Sequence, residues 1–493
     1  MTHRSPNFKN CLACLCVFFV GVSAPAAEAP IELGDRRELF VDSHLIEKLS
    51  AVRLHLHEPR DEGEVLQFDA PWEGIHSGYC TMIQDGARFL AYYRGLPVTG
   101  RDGTANEVTC VAESEDGIRW TKPKLGLFEG RGTKENNIVL AGDPPYSHNF
   151  SPFIDTRPGC PAHQRYKALS GLDTSGLVAF VSPDGLKWSK LHSEPVVPRQ
   201  APFKFIHMFD SQNLAFWSES EQKYVCYFRV WNGVRRIARC ESADFTHWSE
   251  PVLMDYVTDG KPSPLEELYT NQTHPYFRAP HLYVAIAARF VPGRQAISDE
   301  EAAALNVAPG YHKDLSDAVL MVTRGGNVYD RTFLSSFIRP GIGAKNWVSR
   351  TNYPALGLLQ TGPAEMSVYA NQDYAQPTAH LHRYSLRLDG FVSARADYAG
   401  GEVLTKPLTF TGNHLTLNFS TSAVGSIRVE IQDEAGQPIP GFATADCVEV
   451  IGNEVDRTVR WKNGSSVAAL ANKTVRLRFM IRDADLFALK FTK

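Results

Sequence analysis

Beyond its first 27 residues the chain has only six cysteines, Cys80, Cys110, Cys160, Cys226, Cys240 and Cys447, and the nearest two stand fourteen residues apart. That spacing excludes the paired-cysteine knuckles of zinc sites, and the strand settings suit small buried apolar residues. Cys226 and Cys240 could pair across adjacent strands or stay reduced. A basic excess is also missing, because 51 Lys and Arg against 55 Asp and Glu leave a formal charge of −4 with no basic run. Nothing here neutralises a phosphate backbone, so nucleic acid is not an expected partner. Apolar runs fall short of the roughly 20 residues that a membrane helix needs. Helix is scarce, with Asp299 to Leu305 the main candidate.

What is present begins with an export pattern. His3, Arg4 and Lys9 precede an apolar stretch from Cys11 to Val22, and small residues Ala24-Pro25-Ala26-Ala27 follow. Cleavage after Ala26 or Ala27 would release a secreted or periplasmic protein with no membrane span. With 43% hydrophobic and 11% aromatic residues the chain can bury a large core, enough for two domains.

One motif occurs three times, as Ser114-Glu115-Asp116-Gly117-Ile118-Arg119-Trp120, Ser182-Pro183-Asp184-Gly185-Leu186-Lys187-Trp188 and Ser242-Ala243-Asp244-Phe245-Thr246-His247-Trp248, sixty-eight and then sixty residues apart. Ser and Asp bond backbone amides of a tight turn, Gly takes the positive φ, and Trp packs between neighbouring sheets. The motif is a structural rivet, and its period marks repeated sheet units around an axis.

Short aromatic strands fill the segments between rivets. Tyr79 to Ile83, Phe89 to Arg94 and Val108 to Ala112 form one unit, and comparable units precede the second and third motifs. Two later units keep the plan without a good motif, one over His281 to Arg289 and Ala318 to Thr323, the other over Pro354 to Leu359, Met366 to Asn371 and His380 to Leu388. Val52 to His57 is expected to close the last unit, since a ring must hide its terminal edges. After Asp389, period-two strands such as Leu415 to Phe419 and Val475 to Ile481 indicate a separate sandwich. The expected fold is all-β, a five-bladed β-propeller followed by a C-terminal β-sandwich. The expected divisions are a signal peptide over 1–27, an extension over 28–50, the propeller over 51–389 and the sandwich over 390–493.

Strand direction sorts polar residues to one mouth of such a ring, opposite the rivets. That mouth receives Glu73, His76, Arg94 and Glu107 from the first unit, His148 and Asn149 from the second, and Asp210 and Arg229 from the third. Glu267 and Asn271 come from the fourth, and Arg350 and Asn352 from the fifth. Several carboxylates at the ends of buried strands suit glycosidic bond cleavage, which needs one acid to protonate the leaving oxygen and another as nucleophile or base. Asp210, just before an innermost strand, is the leading catalytic candidate, with Glu107 or Glu73 as its partner. His148, Asn149, Arg229, Glu267, Asn271, Arg350 and Asn352 are the candidate binders of a poly- or oligosaccharide. No metal ligand set is assigned and no cofactor is expected. Oligomeric state is beyond the sequence.

At Glu38-Leu39-Phe40-Val41-Asp42, Asp69 to Gly74, Lys134 to Ile138, His148-Asn149-Phe150, Phe209 to Asn213, Tyr276 to His281 and Arg478 to Leu486, the chain resembles secreted five-bladed propeller proteins. These are the glycoside hydrolase families 32 and 43, invertase- and arabinanase-like, and more narrowly a bacterial group frequent in planctomycetes. The resemblance implies a secreted glycosidase and allows a structural calcium in the channel. It also implies an Asp, an Asp and a Glu before the first three inner strands, where this chain carries His76-Ser77-Gly78, His148-Asn149-Phe150 and Asp210. Only the third is acidic. Either Glu73 and Glu107 replace the missing acids, or the propeller binds carbohydrate without cleaving it, or a sialidase-like chemistry reads an acidic sugar through Arg94, Arg229, Arg289 and Arg350 with a nearby Tyr nucleophile.

Overall fold

The computed structural model describes residues 1–2, 29–98, 100–199, 205 and 207–493, so the expected signal segment lies, past residue 2, outside the described residues. Nearly all regular structure is β, with one helix of note, Asp299–Ala304, whose Ser298 and Glu301 form a reciprocal capping box.

Five sheets, antiparallel except for one parallel pair in the fourth, follow one another in sequence. The first joins Gly78–Asp85, Arg88–Gly95, Val108–Ser114 and Ile138–Leu140, and the second Pro152–Ile154, Tyr166–Ser170, Val178–Ser182 and Ser189–Lys190. The third joins Leu214–Ser218, Lys223–Asn232, Val234–Ser242 and Val252–Leu253. The fourth is built on the long pair Ala279–Val291 and Leu315–Thr323, with Glu267–Thr270 and Thr273–Tyr276 on its inner side. The fifth sets Tyr353–Pro354 and Leu359–Gln360 against Glu365–Gln372, then His380–Arg387 and Arg60–Gln67. Each sheet touches the next, and the fifth returns to the first through Glu365–Gln372 against Gly78–Asp85 and the parallel bridge of Thr81 with Leu356. The arrangement is propeller-like.

Two devices hold the sheets in register. The repeated turn is the first: Ser114 Oγ accepts from the Gly117 amide at 2.9 Å, while Asp116 Oδ1 accepts from Ile118 and Arg119 at 2.8 Å each. The same bonds recur at Ser182 and Asp184 and at Ser242 and Asp244. Turn carbonyls then receive phenols from the preceding sheet, Gly185 from Tyr92 at 2.8 Å and Gly117 from Tyr369. An amide strap across the axis is the second. The Gln212 side chain donates to the Cys80 carbonyl at 3.2 Å, and Gln272 donates to Gln212 and to the Pro354 carbonyl at 2.6 Å each.

Val52–Leu56 does not close the ring as expected. It pairs with Val392–Ala396 in the C-terminal sheet, and the charged, mostly exposed Arg60–Gln67 takes the outer edge of the fifth sheet. The reason is apolar alternation, since Val52 and Leu54 pack on the C-terminal core, whereas Arg60-Asp61-Glu62 suits a solvated edge. Cys226 and Cys240 face each other across adjacent strands as free thiols.

The C-terminal part is an eight-stranded sheet organised on Arg476–Thr492, which pairs along its length with His414–Gln432; Ile31–Gly34 adds a parallel pair with Leu408–Phe410. Asp389 ties this part to the ring. Fully buried, it accepts from Arg37 at 3.1 Å, Arg278 at 3.0 Å, Tyr276 at 2.8 Å and Asn418 at 2.8 Å. Removing its charge leaves Arg37 and Arg278 with Asp456 alone, a half-exposed carboxylate. Asp389→Ala is therefore expected to destabilise the protein by about 3–5 kcal/mol in urea unfolding, and a loss below about 1 kcal/mol would contradict its role as the joint.

Candidate functional site

The chain enters the inner strands through left-handed residues that are not glycine: Tyr79 at φ 52°, Asn149 at 47°, Phe209 at 66°, Gln272 at 52°, and both Arg350 at 62° and Asn352 at 70°. Such conformations cost roughly 1–3 kcal/mol each and persist where surrounding structure fixes them. The turns at Asn149, Phe209 and Arg350 bring Asn149, Asp210 and Arg350 to the same end of the ring.

A line of alternating charge results. Glu107, at the start of Val108–Ser114, is shut off from solvent, and both its oxygens lie 3.1 Å from His148 Nδ1. His148 Nε2 lies 3.6 Å from Asp210 Oδ1, and Arg229 Nη2 donates to Asp210 Oδ2 at 2.5 Å. Arg94 stands 3.8 Å from both Glu107 and Asp102 and donates to the His76 carbonyl and to the Tyr374 hydroxyl at 2.8 Å each. The Asn149 amide lies between Arg94, at 3.2 Å, and His148 Nε2, at 2.9 Å.

Protonation follows from these neighbours. Burial opposes the charge on His148, but Glu107 and then Asp210 outweigh it and lift the imidazole to about 9. Burial likewise resists ionisation of Asp210, yet the His148 bond and Arg229 hold its carboxyl well below the usual range. Glu107 is lowered too, by His148 and Arg94 against its burial. All three groups are charged at neutral pH. Of them only Asp210 faces solvent, with 55% of its side chain open.

Tyrosines wall the mouth. Tyr269 lies under the guanidiniums of Arg229 at 4.3 Å, Arg235 at 4.8 Å and Arg350 at 5.4 Å, and Tyr353 is 5.1 Å from it. Arg94 covers Tyr79 at 4.5 Å. Burial raises a phenol, but Arg229 and Arg350 leave Tyr269 below its ordinary value. A cavity of about 290 Å³ at the opposite end of the inner strands, lined by Met82, Phe153, Trp217 and Phe277, is largely apolar and carries none of these charges.

Of the residues singled out from sequence, Asp210, Glu107, His148, Asn149, Arg229 and Arg350 meet here. Glu267 stands to one side, paired with Arg235. Asn271 and Asn352 are buried in the turns themselves, Asn271 accepting from the Thr273 amide at 3.1 Å and Asn352 from Gln372 at 2.6 Å. Glu73 is outside this charge line. It is buried and accepts from Tyr93 at 2.6 Å, Lys122 at 2.7 Å and the Ala70 amide at 2.9 Å. Arg289 is occupied by Asp317 and Glu266. Sequence reasoning named none of these tyrosines as site residues, beyond expecting a Tyr in the sialidase-like alternative, and missed Asp102, on a Gly-Arg-Asp-Gly loop. Asp102, Glu107 and His148 bring donor atoms within 4.8 Å of one another, a spacing that could hold a divalent ion, and Arg94 already supplies positive charge there.

No protein-family profile matches the chain, and no curated protein sequence does. Solved structures that overlap it include one described as a glycoside hydrolase, at 9% identity and TM-score 0.44, covering 66% of this chain and 92% of its own. Another is an N-acetylgalactosamine deacetylase from F. plautii in complex with blood group B trisaccharide, at 13% identity and TM-score 0.41, covering 68% and 96%. A third comes from work on glycoside hydrolases of the GH130 mannoside phosphorylase family that target β-1,2 mannosidic linkages in Candida mannan, at 13% identity and TM-score 0.37, covering 71% and 96%. At these scores the likeness assigns no chemistry, and the reading below rests on the side chains. Among the described residues no helix is long and apolar enough to cross a membrane.

His148 gives a pH test. Its folded value of about 9 lies above the ordinary 6.5, so its charge contributes stability that is complete below pH 6.5 and lost as pH rises through about 9. Stability is expected to fall by up to about 3 kcal/mol between about pH 6.5 and 9.5, with a much flatter profile for His148→Gln in chemical unfolding. Equal slopes would show that His148 is not charged in the fold.

Proposed function

We propose that the protein is an exported glycoside hydrolase cleaving a poly- or oligosaccharide at this mouth, with Asp210 as the catalytic carboxylate. In this reading the five sheets are the blades of a five-bladed propeller braced by a C-terminal β-sandwich. The observation that carries it is an ionised, half-open carboxylate at the mouth, clamped by Arg229 and His148, with guanidiniums around it that can bond sugar hydroxyls. Glycosidic cleavage needs one group ionised and one able to give a proton. Asp210 fills the first role. Glu107 is ionised and enclosed, so it is not the acid; it is a positioning residue that keeps His148 charged. His148, buried and 3.6 Å from Asp210, holds that carboxylate ionised and lies too close to it to protonate the leaving group across a bound glycosidic bond.

One observation favours a second reading. Arg229 and Arg350 depress the Tyr269 phenol, as a tyrosine nucleophile requires. The two separate in a glycan-hydrolysis screen with reducing-end and chromatographic detection. Asp210→Asn is expected to lower kcat by at least about a thousandfold with folding and glycan affinity retained, and Tyr269→Phe by far less. The reverse order supports the tyrosine mechanism. Binding without turnover in the native protein makes this a carbohydrate-binding propeller.

A further inference from the structure

One cation of the mouth has no contact ion pair among the described residues and reaches Asp210 only through space. Arg94 faces Glu107 and Asp102, Arg229 is clamped to Asp210, Arg235 is paired with Glu267, and His148 lies between two carboxylates. Arg350 has no ion pair and no hydrogen bond among the described residues, and its Nε is buried without a partner. Only rings hold its guanidinium, with Tyr311 at 5.0 Å, Tyr269 at 5.4 Å and Tyr374 at 5.9 Å. With Arg235 and Glu267 cancelling, Arg94, His148, Arg229 and Arg350 face Asp102, Glu107 and Asp210. One positive charge is left over.

An unanswered guanidinium in a half-buried setting is costly, and the cost is relieved when an anion arrives. The site does not let Arg350 escape, because its backbone is held in the left-handed region between buried Ser349 and Thr351. Sugar hydroxyls could hydrogen-bond to it but would leave its charge unmatched. The fork of a guanidinium matches the paired oxygens of a carboxylate or a sulfate. We propose that the glycan bound at this mouth carries an oxyanion, a sugar carboxylate or a sulfate ester, which docks on Arg350. This rests on the carbohydrate reading above and narrows it to acidic glycans.

The test is binding by the full mature chain to an array of neutral, uronate-containing and sulfated oligosaccharides. Calorimetry then follows on the tightest binder and on its carboxyl-reduced or desulfated counterpart. Removing the anionic group is expected to weaken binding at least about tenfold in the native protein and less than about twofold in Arg350→Gln. Arg350→Lys, which keeps the charge and loses the fork, should retain part of the preference, and it serves as the readout if Arg350→Gln does not fold. Whether uronates or sulfated glycans lead identifies the source of the oxyanion. A neutral glycan bound as tightly as its acidic counterpart, or an undiminished preference in Arg350→Gln, overturns the proposal. Neutral glycans that are bound and cleaved would sink this inference alone, whereas no glycan binding of any class would sink the carbohydrate reading with it.

Discussion

Glu107 is a carboxylate with no access to water, and the mouth is organised by the need to answer its charge. A lone carboxylate at that depth would be protonated or expelled, and here two cations keep it ionised. His148 meets both oxygens and Arg94 lies just beyond. Fixing His148 by one nitrogen aims the other at Asp210, whose charge calls in Arg229, whose guanidinium covers Tyr269. Each step crosses to a neighbouring sheet or joins two groups of one sheet. The ring is closed electrostatically at its open end as well as by strand contacts.

The opposite requirement, that the ring not splay, is met by neutral groups. Gln212 and Gln272 cross the axis with amides and engage carbonyls of the first and fifth sheets, so this strap adds no charge that competes with the mouth. At the periphery the repeated turns accept phenols from the preceding sheet, and Asp389 fixes the C-terminal sheet against the fourth and fifth. Rigidity of this kind keeps Asp210 and Arg229 at one separation, which a catalytic carboxylate needs.

Much of this was legible in the residues. The Ser-x-Asp turns declared the repeating unit because their chemistry is local, and strand direction alone sent Glu107, His148, Asn149, Asp210, Arg229 and Arg350 to one mouth. Glu73 went to the same list because its loop leads into that mouth, but side-chain direction is not fixed in a loop, and its carboxylate turns inward to Tyr93 and Lys122. The closing strand was misplaced because both Val52 to His57 and Arg60 to Gln67 read as strands, and only packing on the C-terminal core tells them apart. Tyr79, Tyr269 and Tyr374 look like core on any strand pattern. Their role appears only when three arginines from different sheets settle on their faces, a long-range fact that no local pattern encodes.

The most direct test of the central claim is a crystal structure of the Asp210→Asn variant soaked with an oligosaccharide that the native protein cleaves. The account predicts a sugar ring at the mouth beside Arg229, with its anomeric carbon about 3–3.5 Å from the substituted side chain. A glycan seated on the C-terminal sheet or in the apolar cavity at the other end of the ring, with the mouth empty, would contradict it.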